Sequence, residues 1–432
     1  MNDQVDPSPT AFPTPTVSGL VTRSVLAVTL ERLREEPVLL LQGPRTVGKS
    51  TLLKQIAAEI GASLVDADDA ATLEALRDDP SVFVDVPGPV LIDEYQRAPQ
   101  VLSAIKTVLN RPPTVPGRFV LTGSARHEAL PRAAEALTGR LHRMEVFPLA
   151  QCELGGSPGL LARLFEGESG AQAPPSTTPR SEYIARVVAG GFPLALARSD
   201  TTRPRWFDDY VRLTLERDVT QLRAVRHANA LAQVLTRLAG QTAQVVNAAT
   251  IAGAMGIEGS TVGDYVRLLE AVFLVRLLPA WGKRLTARTA ASPKVHVVDS
   301  GVAARLLRLT VSKLDKRDPT ALTELGHLLE TFVVGEILKE VSWMDGIAAV
   351  GHWRTFDGDE VDLVVERDDG QVVAFEVKAG RRASGDSFRS LAKLRTALGD
   401  AFTLGVLFHT GERSFRYDDR LIALPIDRLW KP

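Results

Sequence analysis

The chain has 432 residues, too many for one compact core; at about 100–200 residues per domain it should divide into several. Lys+Arg total 51 against Asp+Glu 52, so a net charge of -1 excludes a globally basic nucleic-acid binder, and any basic patch must be local. The single cysteine, Cys152, excludes an intrachain disulfide and a multi-cysteine metal site, which fits a reducing compartment.

Residues 1–19, "MNDQVDPSPTAFPTPTVSG", lack a basic start and an apolar run, so they do not read as a signal peptide; their Pro, Thr and Ser content suggests a disordered tail. From 20 to 155, short apolar runs alternate with amphipathic ones, the pattern of a parallel sheet covered by helices on both faces. The first strand, "VLLLQ", runs into "GPRTVGKS". This is G-x-x-x-x-G-K-[ST], in which glycines let backbone N–H groups wrap phosphates. Gly43, Pro44, Arg45, Thr46, Val47, Gly48, Lys49, Ser50 and Thr51 are therefore expected to bind ATP. Lys49 would reach the β and γ phosphates and Ser50 would ligate Mg²⁺. "PVLIDE" is a strand ending in Asp93, a Mg²⁺ ligand, and Glu94, the base or orienting group for the attacking water. Glu94 also argues against a small-molecule kinase, which activates no water. "RFVLTGSA" ends in Thr122 and Ser124, which either sense the γ-phosphate or serve as turn and cap residues. Arg140 is a candidate phosphate contact or a surface pair.

Residues 156–180 contain "EGESGAQAPPSTTPR" and read as a linker or loop. Residues 181–300 read as mainly helical. "NAATIAGAMGIEGSTVGDYVRLLEAV" suggests helix, turn at Gly256, helix, with Ser260 and Thr261 as caps: helix-turn-helix patterning in a winged-helix-like region. Asp264, Arg267 and Glu270 suit phosphates poorly. Lys283, Arg284, Arg288 and Lys294, with no acid among them, suit a phosphate backbone better. A protein-binding winged helix or a plain helical bundle is the alternative. The run "LLEAVFLVRLLPAW" is broken by Glu270 and Arg276 and is too short for a bilayer, so no membrane partner is expected and the expected location is the cytoplasm.

Residues 301–432 form a second α/β unit. In "EVDLVVERDDGQVVAFEVK", two apolar strands flank a polar turn, yet Asp362, Glu376 and Lys378 interrupt them. Residues two apart share a face of a strand, so Glu376 and Lys378 point together, and antiparallel pairing brings Asp362 near. Charges in a buried hairpin need partners or a metal. Asp362 and Glu376 are expected ligands for Mg²⁺ or Mn²⁺, with Lys378 positioning water. The metal-free alternative is that Lys378 neutralises one carboxylate and the other is protonated. Lys378, Arg381, Arg382, Arg389, Lys393 and Arg395, against Asp386, make a local basic stretch suited to DNA or RNA.

"LLLQGPRTVGKSTLLKQIA", "VLIDEYQRAPQVLSAIK", "GRFVLTGSA" and "FPLAQCEL" resemble the AAA-like ATP-binding proteins of bacteria and archaea. "GGFP", "YVRLTLERDV", "SPKVHVVDSGVAA", "LLETFVVGEI" and "GDEVDLVVE…FEVKAG" resemble the C-terminal domain of unknown function that those proteins carry. The resemblance runs from about residue 20 to 420. It implies an α/β multidomain chain: an AAA-like P-loop NTPase sheet, a helical and winged-helix-like middle, and a restriction-endonuclease-like α/β end. In that fold the D…ExK pattern of Asp362, Glu376 and Lys378 is joined by a helix glutamate, here Glu330 of "GHLLE". The leading expectation is an ATPase coupled to a nucleic-acid-directed, nuclease-type domain, self-association being compatible with it. The alternative is an ATP-driven switch that binds proteins and carries a non-catalytic C-terminal domain.

Overall fold

The computed structural model describes residues 16–17, 19–113, 115–129, 137–167, 170–222, 228–282, 292–316 and 318–431. The expected tail up to residue 15, and Lys283, Arg284 and Arg288, lie outside the described residues.

The first unit is a five-stranded parallel sheet. Its strands are β1 (Val38–Gln42), β2 (Ser63–Asp66), β3 (Val90–Asp93), β4 (Phe119–Gly123) and β5 (Leu141–Glu145), in the spatial order β2-β3-β4-β1-β5. β1, β3 and β4 are buried along their whole length, as continuous apolar runs in a sheet covered on both faces should be. Because β4 lies between β1 and β3, the ends of three strands converge: the phosphate loop after β1, Asp93 and Glu94 at the end of β3, and Thr122 and Ser124 at the end of β4.

The middle is helical, with a small antiparallel sheet in the order β6-β8-β7: β6 (Gln244–Val245), β7 (Val275–Leu278) and β8 (Lys294–Val297). Helices Ala248–Met255 and Gly259–Ala271 meet at Gly256, whose φ of 64° makes the left-handed turn read from the sequence. The caps differ from expectation. Glu258 precedes the second helix, so Ser260 and Thr261 fall inside its first turn, while Asn247 caps the first helix by accepting from the Thr250 N–H. The "GGFP" and "VVDSGVAA" motifs meet: the buried Asp299 carboxylate caps helix Ser300–Leu306 and accepts from the Gly191 N–H at 2.7 Å. A Cβ on Gly190 would lie 2.1 Å from Asp299 Oδ1, so only glycine admits this approach.

The last unit is a six-stranded mixed sheet, order β13-β14-β12-β11-β10-β9: β9 (Ile347–Arg354), β10 (Glu360–Arg367), β11 (Val372–Lys378), β12 (Phe402–His409), β13 (Phe415–Asp418) and β14 (Leu421–Pro425). The 24-residue helix Pro319–Ser342, capped by Asp318, packs against it. The charged hairpin of the sequence is β10 and β11, with Leu363 opposite Phe375. The middle sheet is stitched to its edge: Trp281 N–H donates to the His352 carbonyl at 2.6 Å and His352 N–H to the Pro279 carbonyl at 2.9 Å. The Pro-rich stretch 166–180 is pinned rather than free over its described residues. Ser176 and Thr178 hydroxyls donate to Asp427 at 2.5 and 2.7 Å, and Arg428 donates to the Pro174 carbonyl. No described helix is long and apolar enough to cross a membrane.

Candidate functional site

The phosphate loop has the shape its sequence requires. A Cβ on Gly43 would meet the Val146 carbonyl oxygen at 2.1 Å, and Gly48, at φ 97°, starts helix Lys49–Ile60. The Lys49 ammonium, 4% exposed, folds over the loop and donates to the Gly43 and Pro44 carbonyls at 2.9 and 2.7 Å. Burial pulls its pKa down, while Glu94 and Asp93 pull it back up. Ser50 is exposed on the first turn of the helix.

Facing the loop, Thr122 carries a double role. Its hydroxyl donates to Asp93 Oδ1 and accepts from the Glu94 N–H at 3.0 Å. Ser124 donates to Glu94 Oε2 at 3.0 Å, and Gln96 bonds both Ser124, at 2.9 Å, and Glu94. Glu94 sits at φ 52°, a left-handed conformation uncommon outside glycine and held here by those partners. Thr122 and Ser124 both tie the β3 carboxylates to β4. Arg140 bonds Asn110 at 2.7 Å in the open. Arg45 pairs with Asp218 of the middle region, its Nε at 2.6 and 2.8 Å from the two carboxylate oxygens. The sequence reading assigned Asp218 no role, although the "YVRLTLERDV" motif contains it. Beside Gly48 and Thr51 a recess of about 100 Å³ is lined by Val17, Leu20, Val21, Leu52, Leu149 and Pro193, an apolar neighbour to the loop that no motif marked.

The second constellation is in the last unit. Glu330, from helix Pro319–Ser342, and Asp362, from β10, do come together, but around a lysine. Lys294 of β8, 1% exposed, lies 2.7 Å from Glu330 Oε1, 2.5 Å from Glu360 Oε1 and 3.1 Å from Asp362 Oδ1. Burial would lower the Lys294 pKa, but the three carboxylates outweigh it and raise it. Its assignment as a phosphate contact is thereby corrected: the ammonium is spent inside the protein. Asp362 Oδ2 accepts from the Val377 N–H at 2.9 Å, across the hairpin. Lys378 pairs with Glu376 Oε1 at 2.6 Å, and Glu376 Oε2 is buried without a hydrogen-bond partner among the described residues. Desolvation, with Asp362 nearby, pushes the Glu376 pKa up to about 8, and burial raises Glu330 well above the carboxylate range. Among the described residues no group of three or more His, Cys, Asp or Glu is arranged to hold a metal ion. In this arrangement the Lys294 ammonium stands among Glu330, Glu360 and Asp362, in the place a divalent ion would have to take. Glu360 and Lys294 are the members the sequence reading missed. The signal for Lys294 was its place at the head of "KVHVVD", where Lys294 and His296 alternate with apolar residues on a buried strand.

The basic stretch after the hairpin is partly paired by the fold. Arg381 pairs with Glu412 at 2.5 Å, Arg389 and Lys393 with Asp359 at 3.7 and 2.5 Å, and Arg395 with Asp418 at 3.0 Å. These acids come from other segments, which a count along the chain could not include.

Residues 35–155 match the family described as an AAA domain. Residues 180–313 and 325–429 match two domains of unknown function, DUF8612 and DUF4143. Uncharacterized proteins of Mycobacterium tuberculosis and Mycobacterium bovis are each 29% identical over 412 residues, covering 95% of this chain and 85% of theirs. Similar solved structures include a Walker-type ATPase of Pyrococcus abyssi, with 15% identity, a TM-score of 0.42, and coverage of 68% of this chain and 98% of that one. Another is AMPPCP-bound DnaA of Aquifex aeolicus, with 14% identity, a TM-score of 0.27, and coverage of 57% and 86%. The chain thus carries an AAA domain followed by DUF8612 and DUF4143 domains, and in this order of domains it is similar to the AAA-like ATP-binding proteins its motifs resemble.

Proposed function

We propose that the protein is a Mg²⁺-dependent ATPase whose nucleotide cycle drives a switch in the middle and C-terminal regions, the C-terminal carboxylates being closed by an internal lysine. The observation that carries the ATP half is the network joining Asp93, Thr122, Glu94 and Ser124 beside Lys49. Residues Gly43 to Thr51 wrap the phosphates, and Lys49 exchanges its two carbonyl partners for the β and γ phosphates. Ser50 and Asp93 offer hard oxygen donors to Mg²⁺, which offsets phosphate charge when bound. Glu94 orients or deprotonates the attacking water, with Ser124 and Gln96 fixing its carboxylate. The apolar recess beside Gly48 takes the base.

The test is phosphate release together with ATP binding. Lys49→Ala should abolish binding or turnover. Glu94→Gln should bind ATP within a few-fold of wild type and lose turnover by about 10²-fold or more. Unchanged turnover in Glu94→Gln would remove Glu94 from its role.

For the C-terminal half, the Lys294 ion cluster and the acid partners of the basic stretch favour a protein-directed switch in the cytoplasm. The nuclease reading keeps one observation in its favour: Glu330, Asp362, Glu376 and Lys378 do gather within electrostatic reach of one another. It requires Lys294 to leave so that Mg²⁺ or Mn²⁺ can enter. A cleavage assay on DNA and RNA, with either metal and with or without ATP, separates the two. ATP-dependent cleavage lost in Asp362→Asn would favour the nuclease.

A further inference from the structure

Asp218 lies far along the chain from the phosphate loop, yet it is 3% exposed and grips the loop's own Arg45 through both carboxylate oxygens. Its placement depends on a local irregularity. Helix Arg203–Leu213 passes into a π-helical turn, Thr214–Asp218, before the helical turn Val219–Leu222. A π-turn inserts extra backbone and re-aims a side chain, and such turns are frequent at functional sites. The same guanidinium reaches to 4.0 Å from Glu94 Oε2. Burial raises the Asp218 pKa, and Arg45 and Lys49 act against that rise. Arg45 is thus shared between a middle-region carboxylate and the hydrolytic carboxylate, on the loop that would meet the triphosphate.

Resting on the ATP reading above, we propose that Arg45 and Asp218 form a latch sensitive to the γ-phosphate. The γ-phosphate of ATP takes the Arg45 guanidinium from Asp218, and the released Asp218 passes the nucleotide state to the helices of the middle region. Guanidinium binds carboxylate and phosphate with the same forked geometry, so the exchange replaces one charge-assisted pair with another. ADP lacks the competing group and leaves the latch closed. A buried carboxylate without its cation is costly, so release obliges Asp218 to move toward water or take a proton. Either response disturbs the π-turn that carries it. Asp218 is on this account a positioning residue, acting through Arg45.

The test compares the affinities of a non-hydrolysable ATP analogue and of ADP, both with Mg²⁺, in the full chain. Asp218→Asn frees Arg45 and should tighten the ATP analogue by about tenfold while changing ADP by less than about twofold. Asp218→Glu should keep the wild-type ratio. In an Arg45→Gln background the Asp218→Asn effect should vanish. Equal changes for the two nucleotides, or an effect that persists without Arg45, overturn the latch. Wild-type protein that binds neither nucleotide overturns the ATP reading itself. A second measurement needs no variant: amide hydrogen exchange over residues 214–219 of wild type should quicken with the ATP analogue relative to ADP, and equal protection with both would count against the latch.

Discussion

At the scale of single residues, two side chains decide how the sites read. Thr122 is the hinge of the ATP site, because one hydroxyl holds the Asp93 carboxylate and the Glu94 backbone together. Thr122→Val keeps the volume and removes the hydroxyl. It should lower the turnover number by about 10- to 100-fold, with ATP affinity within a few-fold, since positioning is lost and the phosphate loop is not. Equal loss in affinity and turnover, measured by titration and phosphate release, would contradict this role. Lys294 is the other. Lys294→Met keeps the apolar stem and leaves Glu330, Glu360 and Asp362 without their cation, which should cost about 3–5 kcal/mol at neutral pH. The carboxylates can recover by taking protons, so the loss in Tm should shrink toward pH 5. A loss equal at both pH values would mean that packing, not charge, is what Lys294 supplies. Thr122 was visible in the sequence as a polar residue at a strand end, but its two partners were not. Lys294 was visible as a cation and misassigned, since nothing in "SPKVHVV" says which way a lysine at a strand's head will turn.

At the scale of elements, the sequence was most legible where periodicity was strong. The P-loop strand and helix, the β3 and β4 strands and the β10–β11 hairpin all follow from apolar patterning and turn residues. The basic stretch after the hairpin was legible as composition and illegible as charge, because Asp359, Glu412 and Asp418 reach it only through folding. Helix Pro319–Ser342 shows the same limit. Its Glu336, Lys339 and Glu340, all charged in type, are buried. Glu340 accepts from the Leu161 N–H at 2.6 Å, and burial pushes its pKa up to about 7. A carboxyl whose pKa is raised on folding stabilises most below its unfolded value, near 4.5, and that contribution is lost as pH rises through about 7. Glu340→Gln keeps the acceptor and removes the titration. The decline in stability of wild type from about pH 4.5 to 7 should therefore flatten by up to about 1.4 kcal/mol per pH unit. Denaturant melts at several pH values check this, and an unchanged slope would show that Glu340 does not hold a proton in the fold.

At the scale of the whole molecule, the three regions are tied at points that touch both constellations. Arg45 joins the phosphate loop to Asp218; Arg126, two residues beyond Ser124, donates to the Glu270 carbonyl at 3.1 Å; and Arg276 beside β8 pairs with Glu145 at the end of β5. β8 then delivers Lys294 into the last unit, so the strand that closes the carboxylate cluster belongs to the middle region, which also contacts the ATP site. That arrangement is why we propose a switch rather than two independent active sites. It was not readable along the chain, because every one of these ties joins segments far apart in sequence. The most direct test of the closed cluster is calorimetric titration with Mn²⁺ of Lys49→Ala/Asp93→Ala protein, in which the ATP site is silenced. The account predicts no Mn²⁺ binding that depends on Asp362, because the Lys294 ammonium already stands among the carboxylates. Stoichiometric Mn²⁺ binding that disappears in Asp362→Asn would contradict it and return the cluster to metal chemistry.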